Sequence, residues 1–206
     1  MTQAGSLVVP KGKEELILDA AIRVFARSGY HGSSMASVAQ EAGVAAGTIY
    51  LYFERKQDLL VTLFRRDLGG YIESCRPALA EAEPGVPRLR SLISKHLAFF
   101  AEDRERASVF QIHGREPDPV LAEGIRPIVA AYFELIAEVM EAGVEAGAFD
   151  PERDVRVARH VFFGAVDEVV TGWLRARHPY PLMTVLDPLV AMLARAVGAN
   201  TPGDSS

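Results

Sequence analysis

Between residues 13 and 53, three stretches of helix-spaced apolar residues follow one another with almost no chain between them. In the first, Ile17, Ala20, Ala21, Val24 and Phe25 fall at i, i+3, i+4, i+7 and i+8, which is one stripe along a helix over about 13–28. In the second, Met35, Val38, Ala39 and Ala42 repeat the spacing. The third is short, covers about 45–53 and carries Ile49 and Phe53. Gly29 and Gly43 stop the first two, and Ser33 and Ser34 stand ready to cap the second. Helices this short bury their stripes only by sharing a core. The tight turn Ala42-Gly43-Val44 makes 34–53 a helix-turn-helix, with glycine where a left-handed backbone is expected. Such packing leaves the third helix exposed and able to enter a major groove about 12 Å wide.

The rest of the chain also reads as helix. β-branched alternation is scarce and Ala, Leu, Glu and Arg dominate, so no strand is expected. A fourth helix starts near Lys56, carries Leu59, Leu60, Leu63 and Phe64, and extends towards Tyr71. Residues 81–87 read as a loop. Helices follow at about 88–101, 104–114, 119–147, 154–177 and 183–198, separated by Pro117 and Pro119, by 147–151, and by the rigid His178-Pro179-Tyr180-Pro181 turn. The expected fold is all-α. An N-terminal three-helix DNA-binding domain spans 12–70 and a larger helical ligand-binding and dimerisation domain spans 71–198. Residues 1–11 and 199–206 are expected to be disordered ends.

The net charge of −5 is unevenly spread. Residues 1–66 hold eight Lys/Arg against six acids, whereas the remainder holds 14 against 21, which suggests two parts with different partners. No apolar run reaches the roughly 18 residues of a membrane span, and 1–15 carry no signal-peptide pattern. The single cysteine, Cys75, fits a reducing compartment, so the expected location is the cytoplasm and no membrane partner is expected. No catalytic set, metal-ligand spacing or resident cofactor site is predicted. The five histidines are scattered, and Asp167 and Glu168 are adjacent and so point to different sides of a helix.

The ordered set Ile17, Ala20-Ala21, Phe25, Gly29, Ser34, Val38-Ala39, Ala42-Gly43-Val44, Gly47-Thr48-Ile49-Tyr50, Phe53, Lys56 and Asp58-Leu59-Leu60 resembles the DNA-binding domain of the TetR family. The resemblance implies a transcriptional regulator, not an enzyme. It also implies that the Tyr50 hydroxyl and the Lys56 ammonium reach DNA phosphates, with Ser33 and Ser34 as caps that can meet a phosphate too. The chain departs from the pattern at Ala45-Ala46-Gly47, where relatives often carry Ser followed by Lys or Arg. Neither alanine can hydrogen-bond a base edge. Direct readout is left to Thr48, Tyr52 and methyl contacts with thymine, and the rest to phosphate positioning and DNA shape.

In the second domain, 154–177 is apolar on more than one face (Val157, Val161, Phe162, Val169, Trp173 and, beside them, Phe163, Val166, Val170). The last helix is similarly wide. One face suits the domain's own core and the other a second copy. A homodimer also places two recognition helices about 34 Å apart for a palindromic operator on double-stranded DNA. The run from Phe163 to Trp173, with Gly147-Ala148-Phe149, resembles the FadR-type subgroup, TetR-family repressors of fatty-acid degradation that release DNA on binding long-chain acyl-CoA. The resemblance implies a small apolar effector held by Phe99, Phe100, Phe110, Tyr132, Phe133, Phe162, Phe163 and Trp173. His113 and Arg115 would touch its polar part, with Arg104, Arg106, Arg126, Arg175 and Arg177 as further cations for phosphates. The alternative is a repressor of efflux or other genes answering apolar drugs or metabolites.

Overall fold

A computed structural model describes residues 12–114, 118–178 and 180–199. The disorder expected for 1–11, and all of the tail beyond Ala199, lie outside the described residues. The chain divides into two compact units after Leu60.

The first unit contains α1 (Lys13–Ser28), α2 (Met35–Glu41), α3 (Ala46–Ile49) and the start of α4 (Lys56–Phe64). The α1 stripe is buried as its spacing requires: Ile17, Ala20, Ala21, Val24 and Phe25 are all at most 1% exposed. Helix α1 packs on α2, where Val38 and Ala39 are buried, and α2 packs on α3, where Ile49 is buried, with each large side chain contributing about 2 kcal/mol by burial. Glu14 and Glu15 in its first turn and Arg27 in its last suit the helix dipole of α1. Ser34 and Ser37 form a reciprocal capping box at the start of α2. Gly43 follows α2 with φ +68°, a backbone that an L side chain would strain. The third helix is shorter than expected: α3 is one turn, and 50–52 continue as a turn to the buried Phe53. Ala45, at its N-cap, has no side-chain oxygen for the first backbone donors.

In the second unit α4 runs into a π-helical segment, Arg65–Gly69, and on into α5 (Gly70–Glu81). Then come α6 (Val86–Glu102), α7 (Arg104–His113), α8 (Pro119–Glu145), α9 (Val155–Arg175), a 3-10 turn Leu182–Val185, and α10 (Leu186–Ala196). No strand occurs among the described residues. The central helix is α6, which packs on α5, α7, α8, α9 and α10; Leu89, Leu92, Ile93 and Leu97 are wholly buried there. The long pair α8 and α9 lies alongside it.

Two further expectations are corrected. Residues 72–81 are helix, not an unassigned stretch, because Tyr71, Ile72, Cys75 and Leu79 form a buried helical stripe that outweighs Pro77 in its interior. The loop expected over 81–87 shrinks to 82–85, since Pro87 sits in the first turn of α6, where its missing N–H has no partner to lose. At the far end of α8, Gly143 makes room for the ring of Phe149. A Cβ there would collide with that ring, so the glycine anchors the turn into α9.

Candidate functional site

The helix-turn-helix presents a small, uncharged surface. Ala45, Ala46, Gly47, Tyr50 and Tyr52 are exposed and Thr48 half-buried, while Ile49 points into the core. Leu51 is 81% exposed beside the two tyrosines. Such an apolar and aromatic surface with hydroxyl tips suits methyl groups and phosphates better than base-edge hydrogen bonds. Ser34 is exposed at the N-terminus of α2, where backbone donors face outward.

Ser33 and Lys56 face inward. The Ser33 hydroxyl donates to the Tyr30 carbonyl at 2.6 Å, and Ser33 is buried. The Lys56 ammonium, at the first residue of α4, donates to the carbonyls of Tyr30 (2.5 Å) and Ser33 (2.9 Å) and lies 4.3 Å from the Tyr30 ring centre. The cation thus gathers the loop that leads into α2. A second clamp ties α1 to α2: Glu41 accepts from Arg23 at 2.7 Å and Arg27 at 3.1 Å, and these hydrogen bonds lower its pKa. At α4 the Asp58 carboxylate accepts from the Arg55 backbone N–H and guanidinium, closing the helix start.

The second unit contains a cavity of about 90 Å³. Its walls come from Phe64 and Leu68, from His96 and Phe100 of α6, from Phe110 and Gln111 of α7, from Ile125, Val129 and Tyr132 of α8, and from Phe163 and Asp167 of α9, with Gly114 beside them. The rings pack edge to face: Phe64 on Phe110 at 4.5 Å and Tyr132 on Phe163 at 6.1 Å between centroids. Two polar sets break the apolar wall. Gln111 donates to Asp167 at 3.0 Å and accepts from Thr171 at 2.8 Å, joining α7 to α9. The His96 Nδ1 pairs with the Tyr132 hydroxyl at 2.8 Å, and Tyr71 donates to that hydroxyl at 3.5 Å. Burial holds the His96 pKa down at about 3 and pushes both tyrosines up, so the ring and both phenols are uncharged at neutral pH.

Of the sequence-predicted ligand residues, the structure brings Phe110, Tyr132, Phe163 and Phe100 to this cavity. Phe99 stands behind it, stacked on Phe110 and tilted against Tyr71. Phe133 lines a neighbouring groove of about 350 Å³ together with Arg126, and Gly114, Ile125 and Val129 line both spaces. Phe162 is wholly buried beneath a groove between α9 and α10. Trp173 lies at the end of α9, its indole N–H on the Tyr180 carbonyl and the Arg104 guanidinium 4.6 Å from its ring centre. His113 is buried at the end of α7 but is not a wall residue, and Arg115 lies outside the described residues. The wall residues that sequence reasoning passed over are Phe64, Leu68, His96, Gln111, Ile125 and Val129. The usable signal was a polar residue on an otherwise apolar helical stripe, His96 between Ile93 and Phe100 and Gln111 beside Phe110.

A helix-turn-helix in one unit and an aromatic-walled cavity in a second define a ligand-responsive transcription regulator. Residues 17–63 match the family described as bacterial regulatory proteins, tetR family, and residues 64–196 match the C-terminal region of YsiA-like proteins. The chain belongs to the TetR family. It is 35% identical over 181 residues to the fatty acid metabolism regulator protein of Bacillus subtilis, covering 88% of this chain and 93% of that one. The fatty acid degradation regulator FadR from Bacillus halodurans is 37% identical, with a TM-score of 0.83 over 87% of this chain and 97% of its own. FadR from Bacillus subtilis, solved in complex with stearoyl-CoA, is 35% identical with a TM-score of 0.84 at the same coverage.

Proposed function

We propose that this protein is a homodimeric repressor of fatty-acid degradation genes that leaves a palindromic operator when a long-chain acyl-CoA enters the cavity of its second unit. The observation that carries the reading is the aromatic cavity between α6, α7, α8 and α9, in a chain similar along most of its length to fatty-acid regulators. The acyl chain occupies the apolar walls, and Arg126 in the adjoining groove suits the phosphates of coenzyme A. At about 90 Å³ the cavity is well below the roughly 300–1,000 Å³ of a typical ligand pocket, so the ligand binds an expanded state. Differential affinity for the two states is what lets it shift the population. Phe64, at the wall, is the last residue of α4, and Lys56 is its first, so one helix links cavity and loop through its own backbone.

On DNA, Tyr50 and Ser34 meet phosphates, Thr48 and Tyr52 face the base edges, and Ala45 and Ala46 touch thymine methyls across the bare helix start at Gly47. Ser33 and Lys56 act by setting the loop that presents α2. The dimer face is that of α9 and α10, where Val157 (60%), Val161 (48%) and Met192 (66%) are exposed around a groove of about 300 Å³ floored by Phe162 and Leu193. The experiment is a gel-shift titration of the protein on DNA from its own promoter region. Release by stearoyl-CoA at low micromolar concentration, but not by free CoA, is the expected result. DNA binding that ignores stearoyl-CoA overturns the acyl-CoA reading and leaves apolar drugs, the effectors of efflux-gene repressors, as the ligands to screen.

A further inference from the structure

One polar atom of the cavity wall has nothing to bond. His96 is 3% exposed, and its Nε2 is buried without a hydrogen-bond partner, while its Nδ1 is held by Tyr132. Buried polar nitrogens in folded proteins are almost always paired, so an orphan on a cavity wall marks a position kept for something that comes and goes. The neighbouring hydroxyls point to the ring nitrogen that carries the proton: Tyr132 stands 2.8 Å from Nδ1 and 3.5 Å from the Tyr71 hydroxyl. Tyr71 donates its O–H to the Tyr132 oxygen. In that arrangement Tyr132 gives its own O–H to His96 Nδ1, which is then the bare nitrogen. The single N–H of the uncharged imidazole is therefore at Nε2. The relay runs Tyr71 to Tyr132 to His96, a wall residue of the cavity, and ends in a buried donor.

We propose that His96 Nε2–H is the group that anchors the effector, donating a hydrogen bond to a neutral oxygen acceptor on the acyl ligand. That oxygen is the thioester carbonyl or an oxygen borne on the chain. The inference rests on the acyl-CoA reading and adds to it a chemical requirement: the cavity is built for a chain with an oxygen at a set depth. An all-hydrocarbon occupant strands the Nε2–H. A ligand that leaves the donor unpaired loses affinity, whereas one that brings its own oxygen does not. Of the other neutral polar side chains of the wall, Tyr132 is paired with His96 and Gln111 is engaged by Asp167 and Thr171, which leaves His96 as the anchoring donor.

The test compares stearoyl-CoA with S-octadecyl-CoA, in which two hydrogens replace the carbonyl oxygen, and with a hydroxystearoyl-CoA, by calorimetry on the full-length protein. If the thioester is the acceptor, the thioether binds about 10- to 100-fold more weakly. If the acceptor is on the chain, stearoyl- and S-octadecyl-CoA bind alike and the hydroxylated chain binds more tightly by that factor. In either case His96→Leu abolishes the discrimination and His96→Gln, which keeps an N–H, retains part of it. Tyr132→Phe narrows it, because the imidazole is then free to move its proton to Nδ1. Equal binding of all three ligands to the wild-type protein overturns the inference alone, as does discrimination that survives in His96→Leu. Failure of stearoyl-CoA to bind at all overturns the acyl-CoA reading and the anchor together.

Discussion

At the scale of single residues, two side chains separate packing from function. His96 is neutral in the fold, with its pKa pushed down from 6.5 to about 3 by burial. The unfolded chain binds a proton at this site that the folded chain refuses, so stability is present above pH 6.5 and is lost as pH falls towards 3. Between pH 6.5 and 5, wild type should lose about 2 kcal/mol more than His96→Gln, since one pKa unit is worth about 1.4 kcal/mol. Paired urea melts check this, and parallel curves would mean that the imidazole charges without cost. Lys56 offers the second separation. A lysine that neutralises a phosphate steepens the dependence of binding on salt; one that holds the Tyr30–Ser33 loop does not. Lys56→Met is expected to weaken operator binding with an unchanged slope of log K against log salt, whereas a slope reduced by about 0.9 would show a direct phosphate contact.

At the scale of elements, the short α3 has a consequence for reading DNA. With Ala45, Ala46 and Gly47 at its start, it offers methyl groups and backbone, and discrimination shifts to DNA shape. A base-by-base operator scan should give penalties below about 3 kcal/mol at the contacted bases, and several penalties at that level would show direct readout. Gly143 tests the other end of the chain. Gly143→Ala drives a methyl into Phe149 and should cost about 1–3 kcal/mol, partly recovered by Phe149→Leu, as thermal melts will show. The sequence was most legible at this scale wherever a stripe and its stops agreed. The α1 face, Gly43 and the α8–α9 boundary could all be read directly. It misled where a local signal opposed a tertiary one: Pro77 argued for a break, and the burial of Ile72, Cys75 and Leu79 overrode it. The cavity was legible only in part, because an aromatic at helical spacing looks the same whether it faces a neighbour or a void. Phe162 and Phe163 are adjacent, yet one sits under the α9–α10 groove and the other on the cavity wall.

At the scale of the whole molecule, the exposed valines of α9 and Met192 of α10 are an apolar surface with no partner among the described residues. Val161→Glu combined with Met192→Lys should give a monomer by sedimentation velocity and lose operator binding, with the helical circular-dichroism spectrum unchanged. A dimer that persists would place the interface elsewhere. The long α8 carries Pro127 between Ile125 and Val129, two of the residues that divide the cavity from the groove holding Arg126. Proline removes a backbone N–H, so the helix there lacks one of the bonds that would keep it straight. The consequence concerns time. If passage of the ligand waits for that stretch of α8 to bend, the observed rate of loading levels off at high stearoyl-CoA instead of rising in proportion. The protein then behaves as a slow integrator, indifferent to brief surges of effector and answering only a sustained supply.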